Sequence, residues 1–343
     1  MTTREATVHR LAPQRGDSLL QLEDLSIAVH NNRGSTLLTE GVSFSVGAGE
    51  TVGLVGESGS GKTITGLAVL GVLPPTVRPA SGRILFEDTD LLTLPDKALY
   101  RIRGGEIGMV FQEPRRSLDP SFTVGDQIAE TIRAHERITR REARVRAVEM
   151  LDRVQIPDAA TRAQQYPHQF SGGMCQRVML AIALACRPKV LIADEPTTAL
   201  DVTVQAAMLR LIKELQDELN LGVLLITHDM GVVAEVCDRV AVMYAGQTVE
   251  VAPVRDIFYA PSHPYTAAIR DATPEIRDQD DLLKAIPGQV PPPDQWPSGC
   301  RFHPRCVHAA DECRTGVLPM QEMGRSQVRC ARAVAIKLEG QLQ

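Results

Sequence analysis

The 343-residue sequence has no apolar run near the roughly 20 residues that a bilayer span requires. Its longest, such as Val178 to Cys186, fall far short, so the chain is expected not to cross a membrane, although it can dock on a protein that does. A surplus of basic charge is missing too: the formal net charge is −5. That argues against nucleic acid as a partner, because binding a phosphate backbone needs clustered Lys and Arg. No basic segment followed by a long apolar one opens the chain, so no export leader is expected. The seven cysteines, odd in number and without an export signal, do not form a disulfide framework. Cys175, Cys186 and Cys237 stand singly, whereas Cys300, Cys306, Cys313 and Cys330 crowd together near the C-terminus.

What is present organises into three stretches. Residues 1–19 are polar and irregular and read as a flexible tail. Residues 20–260 read as one α/β domain. Leu20 to Val29 is expected to be an edge strand, Leu37 to Val46 a second antiparallel strand after the turn Asn31-Asn32-Arg33-Gly34, and Gly82 to Phe86 a third. Ile128 to Met150 has helical spacing within a charged helical insertion, about 113–188. Val190 to Ala193 and Val223 to Thr227 are short β-branched runs, as buried parallel strands require, with an amphipathic helix over Val202 to Leu219 between them. Val240 to Tyr244 and Thr248 to Ala252 read as a late hairpin around Gly246. Residues 261–343 are rich in Pro and Gly and are expected to lack a core of their own.

The chemistry sits at the ends of the apolar runs. Gly56-Glu57-Ser58-Gly59-Ser60-Gly61-Lys62-Thr63 is a complete G-x-x-x-x-G-K-T phosphate loop between a strand, Thr51 to Val55, and a helix, Thr63 to Leu70. Glycines let the backbone wrap around phosphate oxygens, the helix start offers free N–H groups, Lys62 reaches the β- and γ-phosphates, and Thr63 can hold Mg²⁺. Val190 to Ala193 ends in Asp194-Glu195: Asp194 is placed for Mg²⁺ and Glu195 for orienting a water. His228 follows the next apolar strand and can donate to a γ-phosphate, while Gln112 ends the strand Ile107 to Phe111, suited to sensing the metal or water. Ser171-Gly172-Gly173 opens a second helix as an anion-binding start. Two phosphate-contacting elements in one chain point to a head-to-tail pair, each loop facing the other's Ser-Gly-Gly, with Asp201 near the seam.

These elements, in this order over residues 20–330, resemble the ATP-binding subunits of ABC transporters. The resemblance makes Gly56–Thr63 the Walker A loop, Gln112 the Q-loop, Ser171–Gln176 the signature, Val190–Asp194 Walker B, Glu195 the catalytic glutamate, Asp201 the D-loop and His228 the switch histidine. It implies a P-loop core of ABC type with an antiparallel β subdomain, a helical subdomain and a small C-terminal extension. Phe170–Met174, Phe258–Thr266, Ile286-Pro287-Gly288 and the final cysteines are most similar to peptide (dipeptide/oligopeptide) importers. The implied function is ATP hydrolysis that energises peptide import, with nickel or another small solute as the alternative cargo and a soluble non-transport ABC ATPase as the remote one. Implied partners are a second ATPase subunit, expected to be a paralogue, two permease subunits and an extracytoplasmic solute-binding protein, with no nucleic acid. The implied location is peripheral, at the cytoplasmic face of the inner (plasma) membrane. Two departures stand out. Cys175 replaces a usual Arg, and Val29-His30 occupies the place of the adenine-stacking aromatic, with His30 as the stacking candidate.

The four terminal cysteines suffice for tetrahedral Zn²⁺ or a four-iron cluster, with free thiols as the third reading. Their spacing fits neither a C-x-x-C knuckle nor the ferredoxin run; without knuckles the balance moves toward iron–sulfur. Some peptide importers carry a [4Fe-4S] cluster in a similar segment, so the resemblance implies one on Cys300, Cys306, Cys313 and Cys330, with Zn²⁺ as the alternative.

Overall fold

Alternating and continuous apolar runs build two different sheets. The computed structural model describes residues 18–31, 34–198, 201–273, 286–336 and 338. The expected N-terminal tail up to residue 17, the turn residues 32–33 and residues 199–200 beside Asp201 lie outside them. Strand β1 (Ser18–Asn31) alternates buried and half-exposed positions over Leu20 to Glu23 and is continuously buried from Leu25 to Ala28, and β2 (Gly34–Gly47) alternates from Val42 to Val46. With β4 (Val77–Phe86) and β5 (Thr89–Asp90) they form an antiparallel sheet in the order β2-β1-β4-β5. The expected edge strand is therefore internal. β1 pairs with β2 (Leu22 opposite Phe44) and with β4 (Leu22 opposite Ile84), because both of its edges find long partners that its own alternation cannot reveal.

The second sheet holds the continuous runs: β3 (Thr51–Val55), β6 (Ile107–Val110), β7 (Val190–Asp194) and β8 (Gly222–Thr227), every residue buried. Strand β9 (Arg239–Tyr244) completes the parallel set, in the order β9-β3-β8-β7-β6. Burial on both faces demands this composition. One core packs this sheet against the antiparallel layer through Val52, Leu54, Ile192 and Ile226. The other packs its opposite face against the helices through Val55, Leu191, Val223 and Leu225.

The helices that matter for the site begin with α1 (Lys62–Val69) and α2 (Asp96–Ile102). The insertion between β6 and β7 holds α3 (Pro114–Ser117), α4 (Val124–His135), α5 (Arg140–Arg153), α6 (Ala159–Arg162) and α7 (Gly172–Leu184). The helical reading over Ile128 to Met150 is split: α4 stops at His135 and α5 restarts on a capping box, with Thr139 accepting from the Glu142 N–H and the Glu142 carboxylate accepting from the Thr139 N–H. Next come α8 (Val202–Leu219), capped by Asp201, and α9 (Met230–Val236). None of the helices in the described residues is long and apolar enough to cross a membrane.

After β10 (Gln247–Pro253), α10 (Val254–Tyr259) and α11 (Pro264–Asp271), the chain returns through irregular structure to a small hairpin, β11 (Gln321–Met323) and β12 (Ser326–Val328). β12 pairs with β10, Val328 opposite Glu250, so the C-terminal segment extends the main sheet. Its own apolar cluster, including Val328, Cys330, Ala333, Ile336 and Leu338, is small.

Arginines hold the segment down. Arg301, 6% exposed, lies over the Trp296 ring, donates to the Ala245 carbonyl at 2.6 Å and pairs with Glu40. Arg329 donates to the carbonyls of Thr248, Leu318 and Gly41. This corrects the expected iron–sulfur or zinc site. Cys300, Cys306, Cys313 and Cys330 line one small pocket with Phe302, His303 and Ile336, yet among the described residues no three His, Cys, Asp or Glu are placed to hold a metal ion. All four are free cysteines. Burial pushes the Cys300 thiol up to about 12 and the Cys330 thiol up to about 11. Guanidinium hydrogen bonds, aromatic packing and strand pairing do the stapling that a metal was expected to do.

Candidate nucleotide site

Parallel pairing puts the C-terminal ends of four strands along one edge. Val55 pairs with Thr227, Asp194 with Ile226, and Val110 with Ala193, so the residues that follow each strand meet there, the position at which open α/β sheets bind ligands. After β3 comes the loop Gly56–Gly61. Gly56 has φ +152°, and a Cβ there would meet the Met243 carbonyl oxygen at 2.1 Å; Gly61 has φ +99°, and its Cβ would meet Thr39 at 2.6 Å. Glycine is required at both positions. Helix α1 starts at Lys62, so its first N–H groups have no acceptor within the helix. The Ser60 Oγ is buried with no partner. The Lys62 side chain folds back over the loop, its Nζ donating to the carbonyls of Gly56 at 2.7 Å and Glu57 at 3.1 Å. Burial lowers its pKa, opposed by the charges of Glu195, Asp194 and Glu57. Free N–H groups, an orphaned hydroxyl and a buried ammonium make a cradle that fits a polyphosphate.

Thr63 Oγ1 donates to Asp194 Oδ1 at 3.3 Å. This pair presents two adjacent oxygens of the kind Mg²⁺ prefers. Asp194 is 2% exposed, and burial pushes its carboxyl up to about 6 against the Thr63 hydrogen bond; a divalent cation here would hold it ionised.

Glu195 is the hub. It has φ +46°, a left-handed conformation uncommon for a residue with a Cβ, fixed by its N–H donating to the Ile226 carbonyl at 2.8 Å. Gln112 Nε2 donates to Oε2 at 2.7 Å, Thr198 Oγ1 to the same oxygen at 2.9 Å, and His228 Nδ1 lies 3.0 Å from Oε1. Burial works to raise the Glu195 carboxyl, but the Thr198, His228 and Gln112 hydrogen bonds outweigh it and hold it below its usual range. An ionised Glu195 makes Nδ1 the protonated nitrogen of His228.

Lys62, Thr63, Gln112, Asp194, Glu195 and His228 thus lie on one edge, on or beside four parallel strands. Other predicted residues lie apart. Ser171 caps α7, its Oγ accepting from the Met174 N–H at 3.3 Å, and a Cβ on Gly172 would meet nothing within 4 Å. Among the described residues no hydrogen bond or ion pair joins Ser171, Gly172 or Gly173 to the phosphate loop. A link from α7 to the turn after Glu195 runs through Gln176, 1% exposed, which donates to the Pro196 carbonyl. His30 is exposed near the end of β1, its backbone N–H donating to Thr76 at 2.8 Å. Cys175 is fully buried, with Sγ 3.6 Å from the Pro167 carbonyl.

Three contributors were not foreseen. Thr198, in the Pro196-Thr197-Thr198 turn beyond Glu195, could have been suspected as a hydroxyl beside the acid. Tyr265 and Arg305 had no such signal. The Tyr265 hydroxyl accepts from the Glu57 N–H at 2.9 Å, and Arg305 grips the Glu57 carboxylate at 2.7 and 3.0 Å.

This fold and site define an ATPase of the P-loop, ABC-transporter class. A sequence model described as "ABC transporter" matches residues 39–198, and one described as "Oligopeptide/dipeptide transporter, C-terminal region" matches residues 249–313. The chain is 44% identical to the oligopeptide transport ATP-binding protein OppD of Escherichia coli (strain K12), covering 96% of this chain and 97% of that one. It is 48% identical to the oligopeptide transport ATP-binding protein AppD of Bacillus subtilis (strain 168), covering 91% and 96%. Among solved structures it resembles the ATP-binding cassette MJ0796, as a dimer in a post-hydrolysis state bound to ADP and Pi, with 28% identity, a TM-score of 0.62, and coverage of 69% of this chain and 99% of that one. The chain belongs to the peptide-import family of ABC transporter ATP-binding subunits.

Proposed function

We propose that this ATP-hydrolysing subunit drives peptide uptake and that turnover runs through the Glu195 cluster. The phosphates of ATP sit on Gly56–Thr63 and the start of α1, with Lys62 on the β- and γ-phosphates and His30 beside the base. Thr63, Asp194 and the amide oxygen of Gln112 would hold Mg²⁺, which neutralises the phosphate oxygens in transfer. Glu195 accepts a proton from, and orients, the attacking water; His228, held by Glu195 through Nδ1, presents its other nitrogen to the γ-phosphate. Ser171, Gly172 and Gly173 of a second ATPase subunit, a paralogue, close the site from the opposite side, which fits a signature that is capped and open in this chain yet unbonded to its own loop. Two permease subunits at the cytoplasmic face of the inner membrane and an extracytoplasmic binding protein complete the machine. The relatives named for oligopeptide transport favour peptide over nickel or another solute.

The convergence of Gln112, Thr198 and His228 on one ionised Glu195 carries this reading. In the assembled transporter, Glu195→Gln is expected to retain ATP binding while turnover drops about 100-fold or more, the scale of a lost general base. Single-turnover phosphate release measures it; undiminished release would remove Glu195 from the water-orienting role.

A further inference from the structure

Glu57 stands in the phosphate loop, but its carboxylate turns toward the C-terminal segment. Its N–H donates to the Tyr265 hydroxyl, on α11, at 2.9 Å. Its carboxylate receives both Nη atoms of Arg305 at 2.7 and 3.0 Å, the bidentate geometry of the strongest ion-paired hydrogen bonds. The Arg305 side chain is 5% exposed and Glu57 is 32% exposed. Arg305 is itself fixed. Its Nε donates to the Pro287 carbonyl at 2.7 Å and its Nη1 lies 3.3 Å from the Tyr244 hydroxyl. Tyr244, Tyr265 and Phe302 pack beside it in tilted and edge-to-face contacts, with ring centroids 4.5–5.2 Å apart. The carbonyl of the same Glu57 accepts from Lys62 Nζ. One residue therefore joins the C-terminal segment to the ammonium of the phosphate cradle.

We propose that Arg305, with Tyr265, is a strut through which the C-terminal extension sets the conformation and charge of the phosphate loop, so that extension docking and nucleotide binding are coupled. Arg305 is a positioning residue: it acts on phosphate through Glu57. Its work is twofold. It holds the loop's first variable residue out of the cradle, and it neutralises a carboxylate that would otherwise face a polyanion. Coupling is reciprocal, so nucleotide must also tighten the extension. This inference rests on the reading of Gly56–Thr63 as the nucleotide cradle.

The test is a double-mutant cycle on the full-length chain, read by equilibrium binding of a fluorescent ATP analogue across a salt series. Arg305→Met leaves the Glu57 charge unpaired and is expected to raise Kd about tenfold, within the usual range for coupled sites. Glu57→Gln combined with Arg305→Met should return Kd to within about threefold of wild type, a rescue that general damage to the fold would not give. Tyr265→Phe removes only the hydroxyl and should raise Kd by about threefold, which keeps the idea testable if Arg305→Met does not fold. ATP should slow amide exchange over 286–306 in the wild type but not in Arg305→Met. An unchanged Kd in Arg305→Met, or in Tyr265→Phe if that is the variant that folds, overturns the strut, as does a double variant no better than the single one. Lys62→Ala separates the two ideas: binding that survives it fails the cradle itself, whereas binding lost in Lys62→Ala but intact in Arg305→Met fails only the strut.

Discussion

The nucleotide-binding body and the C-terminal segment reach order by opposite means. In the body, apolar strands buried on both faces fix the backbone, and polar chemistry appears only where each strand ends. In the segment the apolar cluster is small, and the buried arginines Arg301 and Arg305 bridge carbonyls and carboxylates of the body. A core built on dispersion and hydrophobic burial is locally tolerant. A guanidinium bridge is not, because losing one partner leaves the other desolvated. The segment should therefore be the less stable region, yet the one whose state is reported directly to the phosphate loop.

The sharpest contrast comes from two glycines whose added Cβ would strike backbone. Gly56→Ala drives a methyl into the Met243 carbonyl at 2.1 Å, and Gly299→Ala drives one into the Cys313 carbonyl at 2.4 Å, each from a positive φ. Gly56→Ala moves β3 against β9 and is expected to cost about 3 kcal/mol or more of global stability and to abolish measurable ATP binding. Gly299→Ala should cost a similar amount, but only within the segment. Amide exchange should rise over 286–336 while the parallel strands keep their protection. Uniform loss of protection in both variants would mean that the two regions form a single cooperative unit.

Next in size is Phe302, 3% exposed among Tyr244, Tyr265 and His263. Phe302→Ala should cost about 3–5 kcal/mol, as a cavity at the seam rather than within either region. Because two of the rings it leaves behind belong to the strut's surroundings, ATP binding should weaken as well. Denaturant unfolding with and without nucleotide measures both effects; a stability loss with no change in the nucleotide-induced shift would separate the seam from the site.

The same contrast explains what could be read in advance. Thr51 to Val55, Val190 to Asp194 and Val223 to Thr227 were legible because a doubly buried strand must be continuously apolar, and the first charged or polar residue after it marks the functional edge. The break between α4 and α5 was legible in principle, since Thr139-Arg140-Arg141-Glu142 spells a capping box, but continuous helical spacing on both sides concealed it. The place of β1 inside its sheet depended on partners far away in sequence. Glu57 and Arg305 are 248 residues apart, and an ion pair closed over that distance has no periodicity to betray it. The cysteines misled for a related reason: their crowding in sequence is matched by a shared pocket, but proximity alone does not set ligand geometry.

The smallest expected effect lies at the joint between the regions. Glu250 on β10 is fully buried, its carboxylate accepting from the N–H groups of Ser262 and His263 at 2.8 and 2.9 Å. His263, also fully buried, accepts from the Tyr265 N–H at 3.0 Å through Nδ1. Burial pushes the Glu250 carboxyl up to about 7 and the His263 imidazole down to about 3. The signs oppose. Between about pH 3 and 6.5 the unfolded chain binds the extra proton at His263, so stability rises with pH; between about 4.5 and 7 the folded chain binds the extra proton at Glu250, so stability falls. In the overlap, from about 4.5 to 6.5, the two slopes offset and the wild type should be nearly flat. His263→Asn keeps an oxygen that can cap Tyr265 but does not titrate. It should uncover the Glu250 slope, a fall of at most about 1.4 kcal/mol per pH unit as pH rises. Ile226→Val, in the parallel core, should instead lower stability by about 1 kcal/mol at every pH. Thermal unfolding of the three proteins across this window decides the matter. A His263→Asn profile parallel to that of wild type would show that the joint does not titrate and that the two regions differ less in their electrostatics than their packing implies.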